Sequence, residues 1–193
     1  MRKRDFSDVS LAKKQIFRYN KEKLQGGVME VHPIAPVWDE NSRVLILGSF
    51  PSVRSRQEGF FYGHPQNRFW KVLAGLWEEP LPGTVSEKTD FLLRHRIALW
   101  DVIASCEVEG SADSSLRSVI VNDITPILRG APIRCICTNG SAASSLYKKH
   151  MGSAADLPQI CLPSTSPANA AWSLSRLREA WSVIRTECEG EEI

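Results

Sequence analysis

The chain has 193 residues, 42% apolar and 24% charged, with a formal net charge of +2; it reads as one globular domain with a sizeable core. No apolar run reaches the length of a bilayer span, and no apolar stretch follows Met1-Arg2-Lys3-Arg4-Asp5 to make a secretory signal. Five scattered cysteines, Cys106, Cys135, Cys137, Cys161 and Cys188, include no CxxC pair and no four-residue set for structural zinc or an iron–sulfur cluster; they read as reduced thiols in a protein that is cytoplasmic in a prokaryote or nuclear in a eukaryote.

Residues 1–30 read as a basic, weakly ordered arm, with eight Lys/Arg against three Asp/Glu in residues 1–27. Such an arm either adds sequence-independent affinity for phosphates or is a solvated tail. His32-Pro33-Ile34-Ala35-Pro36-Val37-Trp38 is extended by its prolines and packs through Trp38. Val44-Leu45-Ile46-Leu47 is a strand covered on both faces, as in a parallel sheet, and it breaks at Gly48 into a polar loop. Phe69, Val72, Leu73, Leu76 and Trp77 then recur at helical spacing. After Pro80-Leu81-Pro82-Gly83, Ser86 caps a helix running to about Arg96. Ile97-Ala98-Leu99-Trp100 leads into Asp101-Val102-Ile103, the second strand, and Glu109–Ser115 is a polar loop. Asn122-Asp123 caps a helix over Ile124–Arg129. Ile133–Cys137 is the third strand, with Cys135 and Cys137 on one face, ending at Thr138-Asn139-Gly140. Ser141–His150 is a helix and Gln159–Leu162 the fourth strand. The last helix starts at Ser166 as N-cap with Pro167 in first position, and carries Ala170, Leu174, Leu177, Trp181 and Ile184 on one face. Residues 187–193 are an acidic tail with four Glu. This order predicts an α/β fold, three-layer α/β/α with a short, mainly four-stranded parallel sheet, in a single domain over 31–186.

A buried strand, a sharp turn, a decorated loop and a helix are how α/β proteins present a ligand at the carboxyl end of a strand. Gly48-Ser49-Phe50-Pro51, followed by Gly59-Phe60-Phe61-Tyr62-Gly63-His64-Pro65-Gln66-Asn67-Arg68-Phe69-Trp70-Lys71-Val72, is similar to the first motif region of the uracil-DNA glycosylase superfamily. The mismatch-specific members of that superfamily have a G-x-N-P-G loop followed by HPxNRFWKV. Leu162-Pro163-Ser164-Thr165-Ser166 resembles the superfamily's second motif, a loop that enters the minor groove. Trp100-Asp101-Val102-Ile103 and Thr138-Asn139-Gly140-Ser141 resemble the branch called hypoxanthine-DNA glycosylases. The resemblance covers roughly residues 31–185 and implies a uracil-DNA glycosylase-like fold. One departure is clear. Phe50 stands where the mismatch-specific enzymes carry the Asn that positions the attacking water, and a phenyl ring cannot orient water. In the hypoxanthine branch that position is likewise apolar and an Asn elsewhere carries catalysis, which makes Asn67 the candidate here.

A glycosylase turns a base out of the stack into a pocket, then holds a cationic sugar and an anionic leaving base while water adds. Tyr62 matches the residue that stacks on the flipped base, with Phe60 and Phe61 as alternatives that equally suit the core. His64 either bonds a phosphate or protonates a purine nitrogen, or it fixes the loop. Asn67 either positions water or caps the following helix. Asp101, at the end of the second strand, either accepts from the N1–H of hypoxanthine or the N3–H of uracil, activates water, or is a turn residue. Asn139 is either a pocket wall or a turn residue favouring the left-handed region. Gly48, Ser49, Phe50 and Pro51 shape the base-binding loop. Ser52, Ser164, Thr165 and Ser166 can bond phosphates, and Arg54, Arg56, Arg68 and Lys71 either follow the DNA backbone or form a solvated face.

The resemblance therefore implies a base-excision enzyme that hydrolyses the N-glycosidic bond of a deaminated base, hypoxanthine first and uracil second. No Lys lies in the motif loop to form a Schiff base, so a monofunctional enzyme is expected. No metal or organic cofactor is expected, the partner is DNA, and a monomer is the simplest assembly. The rival readings are a non-catalytic nucleic-acid-binding module on the same fold and an α/β hydrolase of a small phosphorylated molecule. The absence of a G-x-S-x-G elbow counts against an esterase.

Overall fold

The structure is a computed structural model, described over residues 28–108, 116–152 and 156–190. The elements run β1 (Val28–Val31), β2 (Val44–Gly48), α1 (Val53–Glu58), α2 (Phe69–Leu76), α3 (Val85–Arg94), β3 (Ile97–Asp101), β4 (Ile103–Val108), β5 (Leu116–Val121), α4 (Thr125–Gly130), β6 (Cys135–Asn139), α5 (Ser141–Met151), β7 (Gln159–Leu162) and α6 (Leu174–Glu189). The chain divides into two compact units. One contains residues 105–119 and β1; the other spans residues 32–104 and 120 onward.

The larger unit is built on a four-stranded sheet in the order β3-β2-β6-β7, with every neighbouring pair parallel. The expected α/β architecture and parallel sheet are present. All five residues of β2 are buried. Val44 and Ile46 join a core with Phe69, Val72 and Leu73 of α2 and Leu177, Trp181 and Ile184 of α6. Leu45 and Leu47 alternate to the opposite face and are also fully buried, which is why the strand reads as a continuous apolar run. After β2 the chain places β3 on one side and, later, β6 on the other. The loops leaving β2 and β6 therefore diverge at a topological switch point, where open α/β sheets bind their ligands.

The smaller unit holds a sheet that the sequence reading does not contain, in the order β1-β4-β5. β1 pairs antiparallel with β4, Val28 opposite Val108 and Val31 opposite Ser105. Val28–Val31 thus belongs to a strand, and the expected loop Glu109–Ser115 lies outside the described residues, as does the arm over 1–27.

Several expected boundaries shift for identifiable reasons. Ser52 caps an unexpected short helix, α1, by accepting from the Ser55 N–H at 3.2 Å; Ser55 is the only buried residue of α1, so no apolar periodicity announced it. Thr84, not Ser86, caps α3, in a capping box with Glu87. The second strand is Ile97–Asp101, ending at Asp101 and not at Ile103, because the chain bends at Val102 and starts β4. The third strand begins at Cys135, not Ile133, and extends through Asn139.

The largest correction is the last helix. It begins at Leu174 with Ser173 as cap, not at Ser166, and continues through Glu187 to Glu189. Residues 166–172 wind instead as successive turns, Asn169 N–H to Ser166 O at 3.0 Å and Trp172 N–H to Asn169 O at 3.3 Å. Their carbonyls are taken by the Arg68 guanidinium, so they are not left to build an α-helical ladder. Cys135 and Cys137 do share a face, their Sγ atoms 4.0 Å apart, and no disulfide is formed among the described residues.

Candidate active site

The carboxyl edge of the parallel sheet brings the first group of side chains together. Gly48 and Asp101 are opposite each other in register, the last residues of β2 and β3. The ladder continues one step into the loops, Val102 N–H to Gly48 O at 2.9 Å and Ile103 N–H to Ser49 O at 3.0 Å. Asn122 braces the bend. Its Nδ2 donates to the carbonyls of Asp101 at 2.9 Å and Ile103 at 3.2 Å, a role distinct from the helix cap expected of it. Asp123, one residue before the N-cap position Ile124, accepts from the Thr125 N–H at 2.9 Å.

Asp101 is held by His32, a residue that sequence reasoning missed. His32 Nε2 lies 2.8 Å from Asp101 Oδ2, and the two side chains are 2% and 5% exposed. The Ile34 N–H donates to His32 Nδ1 at 3.1 Å. Nδ1 is thereby the lone-pair nitrogen, the proton sits on Nε2, and the imidazole is neutral and donates to the carboxylate. Pro33 has no N–H, so Ile34 supplies the first donor beyond the ring. Phe50 meets the ring edge-on, centroids 6.0 Å apart, and Phe61 lies tilted to it at 6.1 Å, giving the pair apolar walls.

The other oxygen, Asp101 Oδ1, abuts Gly48. A Cβ at Gly48 would sit 2.0 Å from Oδ1 and 2.9 Å from the Tyr62 hydroxyl, so both polar groups crowd onto one bare Cα. Tyr62 has a left-handed backbone, φ 54°, and its ring stacks on Phe69 at 3.9 Å. The ring is half-buried, whereas the hydroxyl is fully buried and has no hydrogen-bond partner among the described residues. Burial, reinforced by the Asp101 carboxylate, raises the Tyr62 hydroxyl far above its ordinary range; the nearby Asn139 side chain pulls weakly the other way.

A second group forms where β6 meets the loop after β7. Asn139 Nδ2 donates to Thr165 Oγ1 at 2.9 Å and its Oδ1 accepts from the Thr165 N–H at 3.0 Å. Thr165 is wholly buried, so its hydroxyl faces Asn139 rather than a phosphate. Gly140, not Asn139, takes the left-handed turn, φ 97°, and a Cβ there would meet the Ser164 Cβ at 2.8 Å. Ser164 Oγ accepts from the Ser166 N–H at 3.2 Å and Ser166 Oγ from the Ala168 N–H at 3.3 Å, which leaves each hydroxyl proton to donate outward.

Arg68 turns inward. Its guanidinium donates to the carbonyls of Thr165, Ser166, Asn169 and Trp172, fastening the 163–172 segment to the start of α2. Arg54 pairs with Glu58 at 2.8 Å on the surface. Arg56 donates to Pro51 O at 2.9 Å and lies over the Phe50 ring. Asn67, one residue before the N-cap position Arg68, accepts through Oδ1 from the Phe69 N–H at 3.0 Å, leaving its amide NH2 to donate. His64 is exposed, its Nδ1 accepting from the Gln66 N–H at 3.2 Å. Phe60 and Phe61 are core residues, and Ser52 Oγ faces Ser55 Oγ at 3.0 Å. Gly48, Asp101, Tyr62 and His32 thus converge, Phe50 flanks His32, and Asn139 joins Thr165. His64 and Arg54 make their recorded contacts elsewhere.

Comparisons with known proteins identify the family and the fold. The sequence profile of the uracil DNA glycosylase superfamily matches residues 35–185. A relative from Methanosarcina acetivorans named hypoxanthine DNA glycosylase is 37% identical over 151 residues, covering 77% of this chain and 94% of the relative. One of the same name from Methanosarcina barkeri is 31% identical over 156 residues, covering 80% and 97%. A solution NMR structure from Methanosarcina acetivorans, described as a candidate uracil DNA glycosylase, superposes with TM-score 0.70 at 33% identity, covering 82% of this chain and 98% of that one. With its matched profile, its parallel sheet and its polar cluster at the carboxyl edge, the chain belongs to the uracil DNA glycosylase superfamily.

Proposed function

We propose that this protein is a monofunctional DNA glycosylase that hydrolyses the N-glycosidic bond of a deaminated base turned out of DNA, hypoxanthine in preference to uracil. Membership of the superfamily and the names of the two relatives support the reaction class. The observation that carries the site is the Asp101 carboxylate, held by His32 on one oxygen and facing Gly48 and the Tyr62 hydroxyl with the other.

In this reading the half-buried Tyr62 ring, backed by Phe69, is the platform for the base. Asp101 accepts the ring N–H that deamination creates. Asn67, with its oxygen fixed by the helix, donates through its NH2 to water or a sugar oxygen. Ser164 and Ser166 donate to the DNA backbone from a segment that Arg68 and Asn139 hold rigid. Arg68 itself therefore acts through the protein rather than on a phosphate.

The test is single-turnover excision, enzyme in excess, on duplexes with one deoxyinosine or one deoxyuridine. Abasic product is expected with both, faster with deoxyinosine. Salt-sensitive duplex binding with no abasic product would leave the non-catalytic module standing instead.

A further inference from the structure

We propose that His32 keeps Asp101 an acceptor-only carboxylate, and that this makes the site select bases carrying a ring N–H over their amino-bearing parents. The inference rests on the reading of Asp101 given above and adds the residue that sets its hydrogen-bonding sense.

Deamination reverses the polarity of one base edge. Adenine presents an unprotonated N1 beside an amino donor, whereas hypoxanthine presents N1–H beside a carbonyl. Cytosine and uracil differ in the same way at N3. An ionised carboxylate has lone pairs only. It accepts from the N–H of the deaminated base and sets lone pair against lone pair at the parent. A neutral carboxyl loses that discrimination, because its O–H donates to adenine N1 as readily as its other oxygen accepts from hypoxanthine.

The Asp101 side chain is 5% exposed, so the few groups packed against it decide which hydrogen bonds its oxygens make. Among the described residues, the titratable groups that face it are His32, across the 2.8 Å bond, and Tyr62, whose hydroxyl shares the space beside Gly48. Tyr62 stays protonated through the working range. His32 is oriented by the Ile34 N–H on Nδ1 so that its Nε2–H points at Oδ2. That one donor opposes protonation and leaves Oδ1 as the acceptor on the Gly48 side. Phe50 and Phe61 hold the ring in place without offering a competing acceptor from their side chains. His32 is thus a positioning residue: it acts on the base through Asp101.

The experiment combines a spectroscopic and a binding measurement on the full chain. In the wild type, imidazole 1H–15N correlations should show His32 protonated at Nε2 and bare at Nδ1 across the working pH range; a protonated Nδ1 overturns the proposal without any variant having to fold. Affinities are then compared for duplexes carrying 2′-fluoro-deoxyinosine or 2′-fluoro-deoxyadenosine, which resist bond breakage. His32→Phe keeps a ring between Phe50 and Phe61 but removes the donor. It should reduce the preference for inosine about tenfold to a hundredfold, the range of one hydrogen bond to a charged group. It should also move the acid limb of single-turnover excision to higher pH. His32→Gln, which retains an N–H for Asp101, should recover most of the preference. A His32→Phe variant with wild-type preference and an unmoved limb, or a His32→Gln variant as impaired as His32→Phe, refutes it. Asp101→Asn separates the two levels. If it keeps wild-type excision and preference, the reading of Asp101 itself fails; if it is impaired while His32→Phe is not, only the inference about His32 fails.

Discussion

Replacing Gly48 by Ala exchanges one hydrogen for a methyl group, yet at this position it is expected to disrupt the site. The backbone of Gly48 is in the ordinary extended region of β2, so the substitution by itself should help slightly, by about 0.5–1 kcal/mol through the unfolded chain. The new Cβ, however, would stand 2.0 Å from Asp101 Oδ1 and 2.9 Å from the Tyr62 hydroxyl. Asp101 must rotate away, which breaks the 2.8 Å bond to His32. Overpacking costs about 1–3 kcal/mol and a lost hydrogen bond to a charged group about 1.5–3 kcal/mol. The steric and polar losses outweigh the backbone gain, for a net loss of about 2–5 kcal/mol. In urea the midpoint should fall with the slope unchanged. Single-turnover excision of deoxyinosine should fall about tenfold to a hundredfold, the scale of a lost hydrogen bond to a charged group. The double variant Gly48→Ala with Asp101→Ala removes the obstacle, so its stability loss should be smaller than the two single losses added together. A Gly48→Ala protein with wild-type stability and excision would refute the argument, because it would mean that the carboxylate can leave His32 at no cost.

Asn139→Ala strands the Thr165 N–H and hydroxyl inside the protein, and should cost about 2–4 kcal/mol in urea unfolding and speed hydrogen exchange at Thr165. Arg68→Lys replaces a fork that reaches four carbonyls by a single ammonium; a loss of about 2–3 kcal/mol and weakened duplex binding are expected, with fluorescence anisotropy reporting the binding. Tyr62→Phe removes a buried hydroxyl that has no partner among the described residues, so thermal stability near neutral pH should hold or rise; a loss above about 1 kcal/mol would show that the hydroxyl has a partner. The same variant tests the alkaline side. The folded protein holds the Tyr62 proton that the unfolded chain releases near pH 10, so this contribution is complete below pH 10 and fades above it. Denaturant midpoints measured upward from pH 10 should therefore decline less steeply in Tyr62→Phe than in the wild type.

The local features of this protein are written in its sequence because their causes are local. The four apolar residues Val44–Leu47, closed by Gly48, read as a strand buried on both faces, and the spacing of Phe69, Val72, Leu73 and Leu76 reads as a helical face turned inward. The strand–helix order then dictates a parallel sheet, and Gly48, Asp101 and Asn139 fall at its carboxyl edge. What joins those residues to their partners was decided by folding alone. His32 and Asp101 are 69 positions apart, and nothing in His32-Pro33 marks the imidazole as the carboxylate's donor. Arg68 reads as a cation for DNA until the chain brings 163–172 across it, after which its donors are engaged by carbonyls and the helix expected at Ser166 is delayed to Leu174. Side-chain periodicity is set within one or two turns of backbone. Hydrogen-bond partners and tautomers are set by whichever groups the tertiary structure leaves within about 3 Å of one another, and no spacing along the chain encodes that distance.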